Sequence, residues 1–243
     1  MSLTQGQILN NRYRIIKLLG QGGFGAVYRA WDLSVKKACA LKVNLDKSPQ
    51  AQKQFLREAN LLATLRHPNL PRVTDIFMLP SQEQCLVMDF IDGTDLQQML
   101  DESGALPEAQ VRNWLGQVCD ALNYLHSQEQ PIIHRDIKPA NIKITPQGAV
   151  FLVDFGISKV YTPDSSTTQG ARGVTPGYSP VEQYGFGRTD ARSDLYALGA
   201  TAYALLTGRT PPESVLRAAT DQLIPPSQLN PQLPAGMDAV LRR

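Results

Sequence analysis

The feature that most limits the fold is a change of hydrophobic period near Ile91. Before it, short runs rich in β-branched and aromatic residues recur at 13–19, 26–31, 38–43, 72–78 and 85–90, separated by turn residues. Runs of this kind predict strands. A single helix is predicted among them, over 50–65, where Phe55, Ala59, Leu62 and Ala63 fall at helical spacing. His67-Pro68-Asn69 bars its continuation, because a proline disfavours helical backbone in the residue before it. Beyond Ile91 the period is mainly helical. Residues 107–126 place Val111, Trp114, Leu115, Val118, Leu122 and Leu125 on one face, and 194–206 is almost wholly apolar, as expected of a buried central helix. Two short strand signals, 142–144 and 150–153, lie between these helices. The expected class is therefore α+β: a small β-rich N-lobe with one helix (13–90), then a larger, mainly α C-lobe (91–243).

The bulk composition excludes several function classes. The 243 residues suffice for one large domain or two packed lobes. A formal net charge of +2 is too small to argue for nucleic acid or a membrane surface as partner. No apolar run approaches the length of a membrane span, and residues 1–7 lack the basic and apolar regions of a signal peptide. The expected location is cytoplasmic, either alone or as the cytosolic part of a larger anchored protein. Cys39, Cys85 and Cys119 are far apart and lack metal-ligand spacing, so they read as reduced core thiols.

Chemistry concentrates in a few segments. Gly20-Gln21-Gly22-Gly23-Phe24-Gly25 is a Gly-x-Gly-x-x-Gly run, and glycine lets the backbone approach phosphate closely. A dinucleotide-binding loop shares this pattern but opens a helix. Here strand signals lie on both sides, so the run reads as a hairpin lid. Lys42 alternates with apolar neighbours in Ala40-Leu41-Lys42-Val43, and Glu58 sits mid-helix. Each could be a plain solvent-facing residue; together they suggest an ion pair that presents an ammonium to phosphate. His134-Arg135-Asp136-Ile137-Lys138-Pro139-Ala140-Asn141 is the most specific signal. Asp136 can accept or align a hydroxyl proton, Lys138 can neutralise a phosphoryl group, and Asn141 offers a neutral oxygen to a hard cation. Asp154-Phe155-Gly156 follows the second short strand, and Asp154 adds a charged oxygen. A turn-capping carboxylate explains any one of these residues. It does not explain all of them in this order.

In these segments the chain resembles the eukaryotic-like protein kinase family, from about Tyr13 onward, with wording closest to its bacterial Ser/Thr members. The resemblance implies a bilobal kinase fold that binds ATP with Mg²⁺ (Mn²⁺ as a substitute). Leu19, Gly20, Gly22 and Gly25 would cover the nucleotide, Lys42 paired with Glu58 would hold its phosphates, and Val27 and Ala40 would line the adenine pocket. Met88 would be the gatekeeper, Asp89, Phe90 and Ile91 the hinge, and Asp95 the ribose carboxylate. Asp136 would be the catalytic base, Lys138 the phosphate neutraliser, and Asn141 and Asp154 the metal ligands. Lys138, and Thr175 in Thr175-Pro176-Gly177-Tyr178, resemble features of Ser/Thr kinases. The implied partners are protein substrates bearing Ser or Thr, with a homodimer as the means of autophosphorylation.

Four departures stand against the family pattern. Ala-Pro-Glu is replaced by Pro180-Val181-Glu182. Tyr196 replaces a tryptophan in Asp194-Leu195-Tyr196-Ala197-Leu198-Gly199. Lys143 replaces a large apolar residue under the adenine, where its stem would pack with its head in water. The chain stops at Arg243, so the C-lobe is expected to be C-terminally truncated and Glu182 to lack its arginine partner. Arg135 is expected to meet a phosphate on the loop bearing Ser165, Ser166, Thr167 and Thr168, with Thr167 and Thr168 the best candidates. The competing readings are a nucleotide-binding pseudokinase or scaffold, disfavoured by the presence of Lys42, Asp136 and Asp154, and a small-molecule kinase, disfavoured by the intact 173–182 segment.

Overall fold

The computed structural model describes residues 3–22, 25–154, 174–185, 187–234 and 236–241. The chain divides into two compact units, Met1–Asp92 and Gly93–Arg243.

In the first unit, β1 (Ile8–Leu9), β2 (Tyr13–Gly22), β3 (Gly25–Asp32), β4 (Lys37–Asn44), β5 (Val73–Met78) and β6 (Gln84–Asp89) form one antiparallel sheet in the order β1-β2-β3-β4-β6-β5. Period-two alternation gives it two unlike faces. One face carries the core: Tyr13, Ile15, Ala26, Tyr28, Ala30, Cys39, Leu41, Val43, Cys85 and Val87 are all buried. Tyr13 stacks on Phe77 there, with ring centroids 5.5 Å apart. The other face holds Val27 opposite Lys42, and Ala40 opposite Met88. Helix α1 (Pro49–Thr64) packs against β5 and β6. Ser48 caps it by accepting from the Ala51 N–H, proline opens it, and Phe55, Glu58, Ala59 and Leu62 form its buried stripe. It ends at Thr64, with Leu65 already extended, so the helix closes before His67, the residue that Pro68 constrains.

The second unit opens with β7 (Thr94–Asp95) and α2 (Leu96–Ser103), neither of which periodicity predicts. Then come α3 (Glu108–His126), a 3-10 turn at Pro139–Asn141, β8 (Ile142–Ile144) and β9 (Val150–Leu152). β7, β8 and β9 form a small sheet. A side chain at Gly93 would come within 2.5 Å of the Ile144 carbonyl oxygen, so glycine lets the entering chain lie against β8. Helix α4 (Ala191–Thr207) is buried along most of its length and packs on α3. Asp190 and Ser193 cap it reciprocally, and Gly208 closes it at φ 72°. Short helices α5 (Ser214–Ala219), α6 (Pro226–Leu229) and α7 (Met237–Leu241) follow.

The thiols divide. Cys39 and Cys85 lie in the core, where burial pushes them up to about 11 and about 12. Cys119 is exposed, which corrects its reading as a core thiol. It is the next residue after the inward-facing Val118 on α3, and one helical step turns it outward. Among the described residues no helix is long and apolar enough to cross a membrane.

Candidate active site

The second unit concentrates the polar machinery around Asp136. Its frame is Asp194, near the start of α4, which is fully buried. Asp194 accepts from the His134 N–H (2.8 Å), the Arg135 N–H (2.7 Å) and His126 Nε2 (2.8 Å). Arg135 has φ 64°, a left-handed geometry unusual for a residue with a side chain. That bend turns two successive N–H groups onto one carboxylate. The buried His134 ring accepts weakly from the Asp136 N–H (3.4 Å) at Nδ1, and its Nε2 donates to the Val153 carbonyl (3.2 Å). Burial holds the ring below its ordinary pKa despite Asp194, Asp136 and Asp154 around it, so it is a neutral strut between the loop and the segment that leads to Asp154.

Asp136 is the hub. Its Oδ1 accepts from Thr175 Oγ1 (2.8 Å), and Lys138 Nζ lies 3.1 Å from Oδ1 and 3.0 Å from Oδ2. Lys138 also reaches Thr175 Oγ1 at 3.3 Å. Asn141 Nδ2 donates to the Asp136 carbonyl (2.7 Å) and to Oδ2 (2.9 Å). With both amide hydrogens committed, Asn141 keeps Oδ1 as an acceptor for a cation. The Val153 N–H donates to the Asn141 carbonyl (2.8 Å), which ties Asn141 to the chain entering Asp154. Asp154 is exposed, with φ 62°. One carboxylate and one amide oxygen suit Mg²⁺, which takes few protein oxygens and completes its shell with phosphate and water.

The segment facing this hub is built around Thr175. Its N–H donates to Ser179 Oγ, and its carbonyl accepts from the Tyr178 and Ser179 N–H groups. Gly177 has φ 82°, and a side chain there would lie 2.5 Å from Thr210 Cγ2. Gln183 Nε2 donates to the Arg135 carbonyl (3.2 Å), and Ser214 Oγ to the Ser179 carbonyl (2.7 Å). Glu182, expected to lack its arginine partner, accepts from Ser193 Oγ at 2.5 Å. The α4 cap thus supplies a partner close in sequence.

In the first unit, Lys42 is half-buried on β4, between Val27 on β3 and Leu86 on β6. Glu58 is fully buried on α1, with Oε1 accepting from Gln54 Nε2 at 2.8 Å, so a solvated helix face does not describe it. The glycines differ in kind. A side chain at Gly25 would overlap the Val43 carbonyl oxygen, whereas Gly20 and Gly22 face open space. Leu19 is exposed, and Met88, Asp89, Phe90 and Ile91 are half-buried. Asp89 is committed to Lys37 Nζ (2.7 Å) and the Arg72 N–H (3.2 Å), and Phe90 lies 4.7 Å beneath the Arg29 guanidinium. Gly23, Phe24, Phe155, Gly156, Ser165, Ser166, Thr167 and Thr168 lie outside the described residues.

The Lys143 side chain is 28% exposed, and its head also meets protein: Nζ lies 3.5 Å from Asp95 Oδ2 and 3.4 Å from the Gly93 carbonyl oxygen. Asp95 also caps α2, with Oδ1 accepting from the Gln98 N–H at 2.9 Å. The motifs do not point to His126 or to the linking role of Gln183, and they give Asp194 no role. A charged residue inside an otherwise apolar helix is the available signal for Asp194.

A model of the protein kinase domain matches residues 13–232. The chain is 36% identical, over 98% of its length, to the serine/threonine-protein kinase PknB of Mycobacterium leprae, and 32% identical, over 97%, to a probable serine/threonine-protein kinase PknB of Lactococcus lactis. It spans 40% and 39% of those proteins. A crystal structure of a doubly mutated Mycobacterium tuberculosis PknI kinase domain superposes with a TM-score of 0.77 at 29% identity, covering 100% of this chain and 90% of that one. With the hub of Asp136, Lys138, Asn141 and Thr175 in place, the chain belongs to the protein kinase family, as a bacterial-type Ser/Thr protein kinase catalytic domain.

Proposed function

We propose that this chain transfers the γ-phosphoryl group of ATP to Ser and Thr hydroxyls of proteins, its own Thr167 and Thr168 among them. The observation that carries the reading is the convergence of Thr175, Lys138 and Asn141 on the Asp136 carboxylate. Those bonds fix the carboxylate's orientation before a substrate arrives, which is the positioning a general base needs. The acceptor oxygen forms a bond to the γ-phosphorus while the bond to the bridging oxygen of ADP breaks. The hydroxyl proton passes to Asp136. Lys138, held within 3.3 Å of Thr175 Oγ1, sets a positive charge where the transferred oxygens gather charge. Lys42, oriented by Glu58, serves the α- and β-phosphates, and Gly20 and Gly22 leave room for them. Asn141 and Asp154 would hold Mg²⁺, which supplies charge neutralisation on the phosphates. Protein substrates, a homodimer that trans-phosphorylates and a cytoplasmic setting belong to the same proposal.

The test is γ-phosphate transfer to a generic basic protein, with mass spectrometry of the chain after incubation with ATP and Mg²⁺. Asp136→Asn should lower transfer by about 10²- to 10⁴-fold. Equal transfer by both proteins would remove Asp136 from the role of base, and an active enzyme unmodified at 165–168 would remove the autophosphorylation.

A further inference from the structure

We infer that Lys143 sets how strongly the sugar of the nucleotide is read, by occupying the carboxylate of Asp95. The inference rests on the reading of the chain as an ATP-dependent kinase with Asp95 as its ribose residue. Asp95 and Lys143 are direct partners across β7 and β8, so their side chains rise from the same face of the small sheet. Lys143 Nζ lies 3.5 Å from Asp95 Oδ2 and 3.4 Å from the Gly93 carbonyl oxygen. Asp95 Oδ1 is taken by the Gln98 N–H at the first turn of α2. Both carboxylate oxygens are therefore engaged before a ligand arrives.

The engagement is loose, and this gives it a consequence. A separation of 3.5 Å is long for a charged hydrogen bond, and the two side chains are 28% and 27% exposed. A ribose hydroxyl can therefore reach Oδ2, but it must share that oxygen with an ammonium and meet a carboxylate whose charge is already balanced. A site discriminates against an analogue lacking a hydroxyl when removing that hydroxyl leaves a polar group unpaired. Here Lys143 stands ready to keep Asp95 paired, so losing the 2′-hydroxyl costs little. An apolar residue at 143 would leave Oδ2 unshared and would raise the cost. Lys143 is thus a specificity-determining residue, one that makes the site tolerant of the sugar.

The experiment measures dissociation constants for ATP and 2′-deoxy-ATP by calorimetry on the full chain, for wild type, Lys143→Met, Lys143→Gln and the pair Asp95→Asn with Lys143→Met. Circular dichroism melts check that each variant folds. The wild-type ratio of the two constants is expected to be within about threefold. An unshared hydrogen bond to a carboxylate is worth roughly tenfold or more in affinity, so Lys143→Met should raise the ratio to that level. Lys143→Gln, which is uncharged but can still donate to Gly93, should move it the same way. The pair should return it toward the wild-type value, because Asn still caps α2 but offers no carboxylate. A ratio unmoved in both single variants, or still high in the pair, overturns the inference. So does equal weakening of both nucleotides in Lys143→Met, the pattern of a residue that only packs. Wild type binding neither nucleotide would instead overturn the kinase reading itself.

Discussion

Replacing Asp194 with asparagine separates the frame of the site from its chemistry, because Asp194 stands outside the group placed on the substrate. The carboxylate is fully buried and accepts three donors: two backbone N–H groups, at 2.8 and 2.7 Å, and the His126 ring at 2.8 Å. Asparagine keeps one oxygen and turns an NH₂ toward a group that can only donate. At least one buried N–H is then orphaned, at about 1–3 kcal/mol, and the opposed donors add to that cost. The expected loss is about 2–4 kcal/mol. For a chain of this size each kcal/mol moves the melting temperature by about 2–4 °C, so the midpoint should fall by roughly 5–15 °C. The protein that remains folded should also be slow. Arg135 holds φ 64° with its N–H on this carboxylate, and a displacement of about 1 Å at a catalytic loop can cost on the order of a hundredfold in rate. The control is Asp190→Asn, a change on the exposed cap of the same helix, where asparagine caps as well as aspartate and the midpoint should stay within about 2 °C. Circular dichroism melts beside kcat measurements read both effects. If Asp194→Asn melts like its control, or keeps kcat within about twofold, Asp194 does not hold the loop.

Two further outcomes follow from the same geometry. Gly25→Ala forces a methyl group onto the Val43 carbonyl and should cost about 1–3 kcal/mol in a melt, whereas Gly22→Ala, facing open space, should leave the midpoint nearly unchanged and raise KM for ATP; the opposite order would contradict the division of roles among the glycines. The depressed His134 pKa sets the sign of a pH effect: the native ring resists protonation while the unfolded ring takes a proton near pH 6.5, so this contribution is present above pH 6.5 and is lost as pH falls below it. Urea denaturation between pH 7 and 5 should show a fall of up to about 1.4 kcal/mol per pH unit that His134→Asn lacks; a variant with the same slope as wild type would place the titration elsewhere.

The parts of the fold legible in the sequence are those with enough residues to show a period. β3 alternates over eight residues, β4 and β6 carry apolar runs over eight and six, and α3 carries its inward stripe over 19. β1 and β7 have two residues each and α2 has eight, too few for a pattern to stand out from chance. Asp95 shows a second limit. An aspartate before an apolar run is a helix-cap signal, but the family motif draws attention to its chemistry alone, and the structure gives it both a cap and a lysine. The residues proposed to serve the nucleotide are legible because most sit in short motifs of neighbouring residues, such as 20–25 and 134–141. The contacts that hold them are not: Asp194 meets His134 across 60 positions and Gln183 meets Arg135 across 48, and although a charge in an apolar helix marks Asp194, nothing local names the partner of either.

The two-faced character of β4 bears on how chains of this kind can diverge. Cys39, Leu41 and Val43 supply the core, while Ala40 and Lys42 sit on the opposite face. Adding or deleting one residue inside this strand would exchange the two sets, burying an ammonium and turning core side chains out of the core at once. Point changes can be absorbed one face at a time, but changes of length cannot. Length variation among relatives in this unit is therefore expected in the β3–β4 turn and beyond Asn44, with the eight residues between them kept at a fixed count.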